Sequence, residues 1–81
     1  MERVSAYTMT YYPNYNNGGN AVVVSVTPNT YNATVENPFT RSGYTFDGWN
    51  SKEDGTGTNY GTKQSIYILE NMTFYAKWKA N

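Results

Sequence analysis

A chain of 81 residues with six basic and six acidic side chains has no formal net charge, so it offers no long-range field to attract phosphate backbones or anionic lipid. It contains no cysteine and no histidine. That excludes disulfide staples, thiolate metal sites and every nucleophile system built on a Ser-His or Cys-His pair.

This length makes one small domain, residues 1–81 with a core at about 7–79, and a domain of this size buries roughly 60% of its unfolded surface. Nine Tyr, three Phe and two Trp must supply the packing that disulfides do not, each large ring burying about 150–250 Å². The longest apolar run, Ala21-Val22-Val23-Val24, falls far short of the roughly 18 residues of a membrane span, and no membrane insertion is expected. Met1-Glu2-Arg3-Val4 has no apolar signal region behind it.

In chain order, Tyr7-Thr8-Met9-Thr10-Tyr11 alternates with period two and predicts a first strand with Tyr7, Met9 and Tyr11 on one face. Pro13 ends it. Asn16-Asn17-Gly18-Gly19 supplies residues that tolerate positive φ and predicts a turn. Ala21-Val22-Val23-Val24-Ser25-Val26-Thr27 is the second strand, joined to the first as a hairpin, with Val24 and Val26 favoured for the core. Residues 28–42 read as irregular, with one extended pair near 33–35 and Phe39 pinning the loop to the core.

The stretch Gly43-Tyr44-Thr45-Phe46-Asp47-Gly48-Trp49-Asn50 organises the rest. Tyr44 and Phe46 are two apart and share a face, whereas Trp49 is out of phase. A bulge at Gly48 returns the Trp49 indole to the same core, which predicts Trp49 as its packing centre. A polar loop follows over residues 50–58, and Tyr60 touches back on the sheet. Ser65-Ile66-Tyr67-Ile68-Leu69 reads as a short strand or extended arm. Met72-Thr73-Phe74-Tyr75-Ala76-Lys77-Trp78 is the last strand, with Phe74, Ala76 and Trp78 inward and Tyr75 and Lys77 outward. The expected fold is mostly β, a small single-domain sheet with little or no helix.

Three stretches in this order resemble one family: Tyr7 to Tyr11 with Asn17-Gly18-Gly19, then Arg41-Ser42-Gly43-Tyr44-Thr45-Phe46-Asp47-Gly48-Trp49, then Phe74-Tyr75-Ala76-Lys77-Trp78. The resemblance is to the internalin-type B repeat, or Listeria–Bacteroides repeat, and covers the chain from about Tyr7 to Lys79. It implies a β-grasp-like, ubiquitin-like fold. It also implies a module of a secreted or wall-attached bacterial surface protein, acting as spacer or adhesion unit rather than as an enzyme. Carried over by motif, Met9, Tyr11, Tyr44, Phe46, Trp49, Phe74, Ala76 and Trp78 take the family's core positions. The chain departs from the family pattern in a longer, Asn-rich link over residues 27–39. It departs again at residues 60–65, where some members place a short helix and this chain has Gly61 and Thr62.

Candidate chemistry is thin. Ser65 beside Lys63 reads as two solvated turn residues rather than a catalytic pair. Asp47 and Glu36 lack the cleft that glycoside hydrolysis needs. Glu53, Asp54 and Asp47 near Gly55 and Gly57 lack the alternating ligand pattern of a calcium loop. No catalytic residue, metal or cofactor is expected. The surplus tyrosines are more informative: Tyr12, Tyr15, Tyr31, Tyr67 and Tyr75 exceed what one small core can hide. They are the candidate interaction surface, set against the plainer reading that they pack across strands on the open sheet face. The expected partners are an unidentified protein or glycan and neighbouring repeats in a longer chain, not nucleic acid.

Overall fold

The alternating segments become strands in the computed structural model, which describes residues 5–16 and 18–81. Residues 1–4 and Asn17, the second residue of the expected turn, lie outside the described residues. Seven strands follow in order: β1 (Tyr7–Tyr12), β2 (Val22–Val26), β3 (Tyr31–Ala33), β4 (Tyr44–Asn50), β5 (Asn59–Tyr60), β6 (Ser65–Tyr67) and β7 (Met72–Ala80). Five form a sheet in the order β2-β1-β7-β4-β5, and β3 pairs with β6 in a separate two-stranded sheet. The large sheet is mixed. β1 runs parallel to β7, from Met9↔Met72 to Tyr12↔Tyr75, while its other pairs are antiparallel. Among the described residues there is no helix, in line with the expected mostly β sheet with little or no helix.

The hairpin of β1 and β2 forms with Tyr11 opposite Val22, and Val26 is buried while Val23 stands exposed. The phase slip in β4 is resolved as the sequence suggests. Phe46 faces Trp78 and Trp49 faces Ala76, with a bulge between them at Gly48, whose φ is 94°. That conformation is strained for any residue with a side chain. Trp49 is wholly buried, with ring centroids 4.9 Å from Tyr11, 4.9 Å from Phe46 and 6.1 Å from Phe39. Its indole N–H donates to the Val35 carbonyl at 3.1 Å. Met9, Tyr11, Ile68, Phe74 and Ala76 complete the dry interior, and Tyr11 stacks on Phe74 at 4.9 Å.

Three expectations are corrected. Tyr44 is 37% exposed and outside the core. It pairs with Ala80, beyond the point where β1 ends at Tyr12, so β4 and β7 continue there as a bare two-stranded ribbon. Phe46 and Trp78 are half-buried at the near end of that ribbon and pack against the core rather than inside it. The extended pair in the long link lies at Tyr31–Ala33, not at 33–35, and its partner is β6. Two polar side chains hold the irregular parts in place. Buried Thr34 donates its hydroxyl to the Gly61 carbonyl at 2.6 Å and accepts from the Gln64 N–H at 2.9 Å. Buried Asn50 accepts from the N–H groups of Lys52 and Gly57, and donates to the carbonyls of Gly55 and Gly57 and to Asn59 Oδ1.

Candidate interaction surface

The tyrosines expected on the surface separate into three places. Tyr12 and Tyr75 are directly opposite each other on β1 and β7 and stack at 5.3 Å with planes 16° apart. Tyr31 and Tyr67 face each other across β3 and β6 at 4.9 Å in an edge contact, 71% and 44% exposed. Tyr15 belongs to neither pair. Its ring meets Trp78 edge-on at 5.5 Å, and its hydroxyl donates to the Thr40 carbonyl. Cross-strand packing therefore accounts for four of the five, and no single patch gathers them all.

Around Tyr15 the structure builds a cluster that the sequence did not announce. The Arg41 guanidinium carbon lies 3.5 Å from the Tyr44 ring centroid, 4.9 Å from that of Tyr15 and 6.0 Å from that of Trp78. A cation over aromatic faces is held by the ring quadrupole, at about 0.5–1 kcal/mol per exposed contact. In sequence Arg41 looked like an ordinary turn residue before Gly43. The aromatic spacing of Tyr44 and Trp78 was the available signal, but it needed the β4–β7 register to be read.

Asn14 is the pivot of the same region. It takes a φ of 62°, which Asn tolerates better than most residues. Its side-chain amide donates to the carbonyls of Glu53 and Ala76 at 2.9 and 3.1 Å. This bridge ties the β1–β2 loop to the loop between β4 and β5. On one side of it lies an open groove of about 540 Å³, walled by Tyr12, Tyr15, Tyr75 and Glu53. That volume falls in the roughly 300–1,000 Å³ range of small-ligand clefts. On the other side is a charged hollow lined by Arg41, Lys52, Glu53, Asp54 and Lys77.

Asp54 and the Lys63–Glu36 pair are engaged in local structure. Asp54 accepts from the Thr56 N–H and hydroxyl, and these bonds hold its carboxyl below the usual carboxylate range. The Lys63 ammonium pairs with Glu36 at 3.1 Å in solvent, while the neighbouring Ser65 sits in β6 opposite Ala33. Among the described residues no three acidic side chains converge as a metal site would require.

The profile of the Listeria-Bacteroides repeat domain matches residues 7–77, which span the strands from β1 into β7. The chain belongs to this repeat family. Two proteins from Evansella cellulosilytica are similar to part of this chain. One, named as a Gly-rich membrane protein, is 35% identical over 51 residues, which is 62% of this chain and 6% of that protein. The other, named as a membrane protein, is 40% identical over 42 residues, 51% of this chain and 6% of its own length. The match thus spans a small fraction of each relative, as a repeat unit does within a long polypeptide. Among the described residues of the Listeria-Bacteroides repeat itself, no helix is long and apolar enough to cross a membrane.

Proposed function

We propose that this domain is a non-catalytic spacer and interaction module, one unit of a long bacterial surface protein exposed outside the cell. The observation that carries the reading is the placement of the first and last strands. β1 and β7 are parallel neighbours, so the chain enters at one end of the sheet and leaves at the other. Such a unit adds length each time it is repeated. Membership of a repeat family, and the 6% share of each relative, support the same reading. So does the likeness of the Tyr44-to-Trp49 and Phe74-to-Trp78 motifs to internalin-type B repeats. The absence of histidine and cysteine from the chain and the use of Asp54 and Asn50 in turns favour a non-catalytic role. Small-angle scattering of one, two and three linked copies tests it. The maximum dimension should grow with each copy by a length close to the 49 Å long axis. A dimension that stays near that of one copy means the units fold back on each other, and the spacer reading fails.

A second reading, glycan binding, is favoured by the groove beside the stacked Tyr12–Tyr75 pair, where the Glu53 carboxylate adds a hydrogen-bond acceptor. Titrating wall and host sugars against tyrosine ring resonances decides it. Saturable shifts at Tyr12, Tyr15 and Tyr75 support it, and unchanged resonances at millimolar sugar retire it.

A further inference from the structure

The strands that carry the two ends of the chain are also bound to each other more thoroughly than the ladder alone requires. From Met9↔Met72 to Tyr12↔Tyr75 they pair in parallel. At the entry end the Asn71 side chain extends this seam, accepting from the Thr8 N–H at 3.0 Å. At the far end the Trp78 indole N–H donates to the Pro13 carbonyl at 2.6 Å, and Asn14 donates to the Ala76 carbonyl at 3.1 Å. The seam therefore runs from Thr8 to Asn14 on one side and from Asn71 to Trp78 on the other. Inside it, Tyr11 is wholly buried and stacked on Phe74, so sliding β1 along β7 must also drag that ring out of the core.

Tension applied through the two ends pulls β1 and β7 in opposite directions along their shared axis. The ladder bonds and the side-chain latches are then loaded together, in shear. A pull across the strands loads them one after another instead. Forced unfolding is governed by the barrier that must be crossed and not by equilibrium stability alone. We propose that the domain is a tension-bearing unit, with the β1–β7 seam as its mechanical clamp and Asn71, Asn14 and Trp78 as its latches. This rests on the reading that the domain sits within a longer chain. The clamp itself is a property of the single folded unit.

Because the chain has no cysteine, two introduced thiols can define the pulling points. Attachment through Ser5→Cys and Lys79→Cys loads the seam in shear. Attachment through Ser5→Cys and Glu70→Cys, both at the entry end, peels it open. At equal loading rate the shear geometry should unfold at a several-fold higher force. Asn71→Ala, at an exposed position, should lower the shear force. Equal forces in the two geometries, or an Asn71→Ala variant with unaltered shear force, overturn the proposal. Both measurements use a single domain, so they can fail while the scattering series succeeds, and the reverse.

Discussion

Trp49 shows what one residue contributes here. It is the largest fully buried side chain and touches three other rings. Trp49→Ala should cost about 3–5 kcal/mol in urea unfolding, and half-buried Trp78 should cost less when truncated. Gly48 makes the placement possible. A Cβ there would meet the Tyr60 carbonyl oxygen at 3.1 Å with φ at 94°, whereas one at Gly43, with φ at 82°, would meet open space. Gly48→Ala should therefore lose about 1–3 kcal/mol, and more than Gly43→Ala. Tyr11 sets a pH limit. Burial raises its phenol above the usual value, with only partial relief from the Val35 main chain. The folded state thus favours the neutral phenol. Its stabilisation is intact below the unfolded pKa of about 10 and is lost as pH rises through the raised folded value. Tyr11→Phe should flatten the alkaline arm of the melting-temperature profile.

At the scale of elements, period-two alternation was enough for β1 and β7, because each has one face in the core and one facing solvent, while β4 also needed the bulge at Gly48. It was not enough for β3, a three-residue strand that pairs only with β6 and carries no long alternating run. In contrast, β6 was legible in the apolar, β-branched stretch Ser65 to Leu69. Asn50 and Thr34 were hidden for a different reason. Polar residues in Asn-, Gly- and Thr-rich stretches look like solvated turns, and only their long-range partners reveal them as buried knots. Asn50→Ala should leave several loop groups without partners and cost about 1–3 kcal/mol. Asn50→Asp should be worse, since it replaces the donor facing three acceptors with a fourth acceptor. Faster hydrogen exchange at the Lys52 and Gly57 amides would report the opened loop, and unchanged exchange would show that the knot is dispensable.

Across the whole molecule, the pairing order was not written in any local pattern. The alternation of β1 and β7 says that both are strands, not that they are neighbours 63 positions apart at Met9↔Met72. The misplacement of Tyr44 has the same origin. Its face was read correctly, but the point where β1 stops covering that face depends on a long-range register. The candidate surface was legible as a surplus of tyrosine and not as geometry, since the three separate clusters depend on which strands meet. Because the last strand holds both β1 and β4, a chain truncated after Asn71 should show no cooperative thermal transition. A sharp melt in that fragment would mean the hairpin and central strand form a core without β7.

The unequal burial of the two indoles also gives the molecule a built-in optical gauge. Trp49 is shielded from water beside Tyr11, while Trp78 is partly wetted. A small neutral quencher should dim one emitter and spare the other until the fold opens, so the same chain can be followed without any dye.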